Sequence, residues 1–290
     1  MTALLVCCGL ATLDVVQVVD RLPAADEKVV ARSLDVTFGG PAANAAATAA
    51  ALGVRTVLVT ALGQGPVADL VRHGLGAAGV EVVDLLDGPG TPAVSTVLVT
   101  RGTGERAVVS VNAVGVRDLS GPARRLDVLE GATALLVDGH HLGAAQELAA
   151  DASVRGVPVL LDGGSWKPGL EGLLAHVDHA VLSADFRLPD GGGDVLRRVA
   201  DLGPRSVAQS AGGGPVRILV GGPEGRHESV LRPPVVPAEE VVDTLGAGDV
   251  LHGATAASLA AGHDVLTALA DGVARASESV RHPGALGWVS

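Results

Sequence analysis

The chain has 290 residues, a hydrophobic fraction of 48%, a formal charge of −11, two Phe, two Trp and no Tyr. Such a length and hydrophobic share support one large α/β domain with an appendage, its interior packed with Val, Leu and Ala instead of rings. A chain with this charge has no basic stripe for a polyanion, its few rings offer no base-stacking surface, and no run approaches the ~20 apolar residues that span a bilayer, so neither nucleic acid nor membrane is an expected partner.

Residues 3–9 form an apolar opening that reads as a first buried strand; with no basic leader and with Asp14 and Asp20 following, it does not read as a signal peptide. Cys7 and Cys8 are adjacent and cannot form an ordinary disulfide with each other, so they read as inert buried thiols in a reducing cytosol, and a cytoplasmic protein is expected. Two extended stretches follow, 14–20 and 28–38, joined by Arg21-Leu22-Pro23-Ala24-Ala25-Asp26. The pattern then predicts a helix over 41–53, a strand over 55–60, a helix over 65–79 and a strand over 80–85. Residues 93–100 and 105–112 flank Arg101-Gly102-Thr103-Gly104, a hairpin turn signal. Strands are predicted over 133–138, 157–162, 178–182, 204–209 and 216–220, and helices over 143–155, 192–201, 247–261 and 264–280.

This alternation is the signature of a doubly wound, mostly parallel α/β sheet flanked by helices. Four extended stretches break it. They make either a small β-sheet lid beside a ligand cleft, able to exclude water during group transfer, or an edge extension of the main sheet, and periodicity alone leaves both open. One domain over 1–290, with lid segments at about 12–38 and 91–112, accounts for the whole pattern.

The strongest local signal is Asp243-Thr244-Leu245-Gly246-Ala247-Gly248-Asp249, which opens a long Ala-rich helix. The first amides of a helix lack intrahelical partners and sit at the positive end of its dipole, so this terminus suits phosphate. A carboxylate in the first turn can simply complement that dipole, worth about 0.3–1 kcal/mol. Dipole complementation does not require the preceding glycines. Phosphoryl transfer uses every part: the Gly246–Gly248 amides meet the developing charge, and Asp249 takes the proton of the attacking hydroxyl. Gly39-Gly40-Pro41-Ala42-Ala43-Asn44 at another helix start and Asp14 after the first strand offer hydrogen-bonding groups suited to a polyol.

Taken together, the early Gly39–Asn44 and late Asp243–Asp249 segments resemble the ribokinase-like (PfkB) carbohydrate kinase family, over nearly the whole chain. Gly9-Leu10-Ala11-Thr12-Leu13-Asp14-Val15 and Leu245 are similar to ketohexokinase wording, whereas Leu161-Asp162-Gly163 and Gly248-Asp249-Val250-Leu251-His252-Gly253 are similar to sulfofructose kinase. The resemblance implies an ATP-dependent phosphotransferase acting with Mg²⁺ on a small sugar, ketose-type by this wording. It implies Asp249 as base and Gly246, Ala247 and Gly248 as the anion hole. Asp14, Gly40, Asn44 and Asn112 would bind sugar hydroxyls, and Asp26 on the lid turn would reach a partner subunit's substrate in a homodimer formed through the lid. Thr244, Gly246, Gly248, Gln209, Gly212 and Gly214 would face the nucleotide, and a potassium ion would lie near Asp243.

Departures from the family pattern stand beside this. Ser183-Ala184-Asp185-Phe186 occupies the place of an Asn-x-x-Glu motif that organises Mg²⁺, Pro41 replaces a ribokinase Lys, and Gln209-Ser210-Ala211-Gly212 stands where a nucleotide-side Thr is expected. A nucleoside or a sugar acid is an alternative acceptor, the latter calling for Arg101 or Arg106 in the pocket, and a non-catalytic sugar- or nucleotide-binding protein is the rival from another class. Asp138-Gly139-His140-His141 has adjacent His side chains that diverge, so it reads as a cleft-bordering loop, not as a zinc site. His252 reads as a packing group behind Asp249, and Trp166 and Trp288 read as cover over core edges.

Overall fold

The computed structural model describes residues 2–101, 106–111, 118–222 and 225–289. Strand β1 (Leu4–Cys8) is followed by β2 (Thr12–Val19), β3 (Ser33–Gly39), helix α1 (Pro41–Ala51), β4 (Arg55–Thr60), α2 (Pro66–Ala77) and β5 (Val80–Asp84). Next come β6 (Ala93–Thr100), β7 (Arg106–Ser110), α3 (Ser120–Ala123), β8 (Ala134–Val137), α4 (Leu142–Arg155) and β9 (Val159–Gly163). The last third holds α5 (Leu170–Leu174), β10 (His179–Leu182), α6 (Val195–Ala200), β11 (Ser206–Ala211), β12 (Gly214–Gly222), β13 (Gly225–Leu231), α7 (Ala247–Ala260) and α8 (Val265–Ser279).

Nine strands form the main sheet in the order β13-β12-β11-β10-β9-β8-β1-β4-β5. It is parallel from β11 to β5 and antiparallel at the β11–β12–β13 edge. β1, β8 and β9 are buried throughout, as apolar runs covered on both faces must be. One apolar layer packs α1, α2, α7 and α8 against one face of the sheet, and a second packs α4, α5 and α6 against the other.

The remaining strands form a separate four-stranded sheet in the order β3-β2-β6-β7, with β2 parallel to β6 and the other pairs antiparallel. The lid arrangement therefore holds and the edge extension does not. Several elements differ from the sequence pattern: β3 begins at Ser33 instead of residue 28, and two further differences have a local cause. Helix α6 starts at Val195, where the Asp194 side chain caps it by accepting from Leu196 N, and the glycines before it lie outside. Strand β13 carries no apolar run because Gly225–Val230 is exposed along an edge, where charged side chains are common.

Two features of the helical layer set up the site. α1 and α7 approach so closely that a Cβ at Gly253 would overlap the carbonyl of Ala45. Asp138, buried just beyond β8, accepts from Leu10 N (2.8 Å), Ala42 N (3.2 Å) and His140 N (2.8 Å), fastening the start of α1 to the end of β1.

Candidate active site

The 243–248 loop is held in shape before it reaches α7. Asp243 accepts from Leu245 N at 2.8 Å through Oδ1 and from Gly284 N at 2.9 Å through Oδ2. Gly246 is the N-cap residue with φ 72°, and a Cβ there would run into Ala285. Both the turn and the close contact demand glycine. The first intrahelical bond is Val250 N to Gly246 O at 2.8 Å; in the preceding turn Ala247 N makes only a long 3.4 Å bond to Thr244 O, and the Gly246 and Gly248 amides are left for an anion. Beside the loop lies a cavity of ≈480 Å³, lined on its polar side by Ser210, Gly212, Thr244, Gly248 and Ser277 and walled by apolar residues that include Val235 and Val273. Its size and mixed lining suit a flat heterocycle with a phosphate chain leading to the helix terminus.

Asp249, one residue past the cavity wall, is half-buried, and its Oδ2 accepts a 2.7 Å hydrogen bond from Asn44 Nδ2. This bond spans 205 positions of sequence and joins the first turn of α1 to the first turn of α7. Desolvation and the nearby Asp162 carboxylate push the Asp249 carboxyl up to about 7, while the Asn44 hydrogen bond and His252 oppose the rise. A carboxylate tuned to that range both holds and releases a proton near neutrality, the property a general base needs. Asp162 and His252, buried beneath it, lie 3.3 Å apart, and the His252 ring also bridges Gly248 O (2.6 Å) and Val181 O (3.0 Å). His252 thus ties the helix start to β10.

The lid supplies a row of polar groups. Strand register aligns Thr37, Asp14, Ser95 and Ser110 across β3, β2, β6 and β7, and Ser95 Oγ donates to Ser110 Oγ at 3.0 Å. Asp14 accepts from Thr12 Oγ1 at 2.6 Å, and burial pushes its carboxyl upward. A Cβ on Gly39 would overlap that carboxylate, and the next residue, Gly40 (φ 98°), begins α1, four residues from Asn44. Asp14, Gly40, Asn44 and Asp249 are in this way linked through one short path.

Other predicted residues are placed less centrally. Gly212 and Thr244 line the cavity, as do Ala247 and Gly248; Gln209 instead donates to Ser183 O (3.2 Å) and lines a neighbouring depression with Arg217. Gly214 pairs with Ala211 at the β11–β12 turn. Asp26 is exposed at φ 60° in the β2–β3 connection, and Asn112 lies outside the described residues. Asp185 is exposed after β10, in the place of the Asn-x-x-Glu motif. Arg101 pairs with Asp20 (3.2 Å), whereas Arg106 reaches Thr244 and Asp243. Trp166 meets Phe186 edge-on at 6.3 Å, and Trp288 lies under Arg275, 4.7 Å from the ring centroid. Reading the sequence placed Asp138 only in a cleft-bordering loop and did not mark Asp162, Thr37, Ser95 or Ser110 as site residues. The two aspartates carry a legible mark, an acid ending a wholly apolar strand, but the hydroxyl row exists only through cross-strand register.

The model of the pfkB family carbohydrate kinases matches residues 2–288. The chain is 27% identical over 288 residues to ribokinase of Bacillus subtilis, covering 96% of this chain and 93% of that one. Among solved structures it is similar to ribokinase of Thermotoga maritima (TM-score 0.77, 20% identity, covering 99% and 96% of the two chains). It is also similar to Arabidopsis thaliana ribokinase complexed with ribose and ATP (TM-score 0.74, 22% identity, covering 99% and 96%).

Proposed function

The chain belongs to the pfkB family of carbohydrate kinases, and on that premise we propose that it transfers the γ-phosphoryl group of ATP to a hydroxyl of a neutral, ketose-type sugar with Asp249 as the base. The observation that carries the reading is the 2.7 Å Asn44–Asp249 hydrogen bond, which joins a sugar-side motif to a phosphate-side motif at one point.

In this mechanism the adenine end of ATP occupies the ≈480 Å³ cavity, and the phosphates run toward the amides of Gly246, Ala247 and Gly248. Mg²⁺ bound to ATP would supply charge neutralisation at its phosphates. The sugar lies between the Thr37–Asp14–Ser95–Ser110 row, Gly40, Asn44 and Asp249. Asn44 fixes one carboxylate oxygen of Asp249, leaving the other for the acceptor hydroxyl. Asp249 takes the hydroxyl proton as the oxygen attacks the γ-phosphorus in line; the bond to the β,γ-bridging oxygen breaks and ADP leaves. The glycine-framed amides meet the charge on the transferred group.

A neutral acceptor is supported by the arginines. Arg101 is engaged by Asp20 and Arg106 by Thr244 and Asp243, so neither stands free for a sugar acid. The ketose type rests on the resemblance of the segments around Asp14 and Leu245 to ketohexokinase. A coupled ADP-release assay over ketoses, aldoses, sugar acids and nucleosides tests the reading, with turnover expected on a ketose. Turnover confined to sugar acids or nucleosides overturns the acceptor, and silence across the panel with ligand-induced thermal shifts overturns catalysis.

We further propose a homodimer through the lid. The face opposite the Asp14 row presents Val36 and Val109 in one register row and Leu34 beside it, exposed by 47%, 74% and 64%. Asp26 would reach the partner's sugar site from the exposed β2–β3 connection. Sedimentation should give a dimer that Val36→Lys with Val109→Lys dissociates; a wild-type monomer at micromolar concentration rejects the proposal.

A further inference from the structure

The place implied for a potassium ion, beside Asp243, is already occupied by protein groups. Both carboxylate oxygens accept backbone amides, from Leu245 at 2.8 Å and from Gly284 at 2.9 Å. The Arg106 guanidinium arrives from β7: Nη2 lies 3.6 Å from Asp243 Oδ1 and donates to Thr244 Oγ1. Both side chains are about three-quarters covered, at 23% and 24% exposure, so solvent only partly screens the pair. A monovalent ion at this carboxylate would have to stand against a guanidinium or displace it. The residues present do not fit one.

We propose that Arg106 supplies the fixed positive charge that orders the 243–248 loop, so that phosphoryl transfer by this chain does not depend on a monovalent cation. This rests on the phosphotransfer reading above. Arginine suits the task because it is permanently charged and offers several donors in a fixed plane. Thr244 lines the nucleotide cavity, and Asp243 fastens the loop to the turn at Gly284. One side chain therefore holds both residues that lead into the turn presenting Gly246, Ala247 and Gly248. Since Arg106 belongs to β7, the order of the anion-binding loop is also tied to the lid that carries the sugar-facing row. Arg106 is a positioning residue in this scheme, acting through the loop.

The test uses the full chain with K⁺, Na⁺ or tetramethylammonium as the sole monovalent cation at constant ionic strength. Wild-type kcat should agree within about twofold across the three salts. Arg106→Gln should lose about tenfold or more in kcat in tetramethylammonium, with both KM values within about threefold, and K⁺ should restore part of that loss. Arg106→Lys, which keeps the charge, should remain indifferent to K⁺. Melting temperature gives a second readout, independent of turnover. K⁺ should raise it relative to tetramethylammonium in Arg106→Gln and leave the wild type unchanged, because a ligand bound only by the folded state stabilises it. Wild-type activation by K⁺ beyond about fivefold, a K⁺-specific rise in the wild-type melting temperature, or full kcat in Arg106→Gln overturns the proposal. Absence of wild-type turnover in every salt speaks against phosphotransfer instead, and the melting comparison then still decides the role of Arg106.

Discussion

Two carboxylates flank the first turn of α1, Asp249 from the main domain and Asp14 from the lid, and their settings differ in kind. Asp249 begins a helix that is buried along most of its length; Asp162, His252 and Asp138 act on it electrostatically, and its carboxyl is pushed up to about 7. Asp14 sits in mid-strand on a thin sheet, in register with three hydroxyl side chains and bonded to a fourth, Thr12. Burial raises both, but at Asp14 hydroxyl hydrogen bonds work against the rise, while at Asp249 other acids reinforce it. The first environment suits a group that must exchange a proton, the second a group that must hold a polyol. The proposed site obtains both by drawing its walls from sheets of different construction.

The comparison can be broken most directly at Asp249. Asp249→Asn preserves size and removes proton acceptance, so kcat should fall by about 10²–10⁴-fold while sugar KM and melting temperature hardly move. A variant with wild-type kcat removes the base. At Asp14 the expected loss is of another kind: Asp14→Ala should cut kcat/KM for the sugar by about 10- to 100-fold and leave the KM for ATP alone, since it deletes charge-assisted hydrogen bonds to the acceptor. An equal loss toward ATP would mean that the lid acid does not distinguish the two substrates.

The smallest effect sharpens the contrast through pH. Asp249 must be deprotonated to act, so kcat/KM should rise with pH through about 7. The Asn44 hydrogen bond favours the charged form; Asn44→Ala therefore raises the carboxyl further and moves this limb to higher pH, with more activity lost at pH 6 than at pH 8. A limb that moves toward acid, measured on the same substrate, contradicts the assignment.

Much of this site was legible because its signals are local. The glycines of the Asp243–Asp249 segment announce a turn that only glycine makes, Pro41 marks the first turn of α1, and Ala-rich periodicity marks the helices that bring Asn44 and Asp249 together. The alternating pattern likewise marked the seven parallel strands of the main sheet, most plainly β1, β8 and β9, because doubly covered strands must be apolar. The polar edge strand β13 escaped because an edge needs no such pattern; Asp138 and Asp162 show in sequence only as acids ending apolar strands, and what they do depends on the amides and the imidazole that converge on them.

From its sequence alone this chain specified a doubly wound sheet, a glycine-opened helix end and an acid in its first turn. Those features depend on backbone dihedrals, missing side chains and periodic burial, which neighbouring residues dictate. Only the tertiary structure decided that four extended stretches pair into their own sheet, that Thr37, Ser95 and Ser110 fall in line with Asp14, and that Arg106 lands on Thr244 and Asp243. Strand pairing and long-range ion contacts join residues far apart in the chain, and they are selected by how whole surfaces fit, for which no short stretch of sequence carries the information.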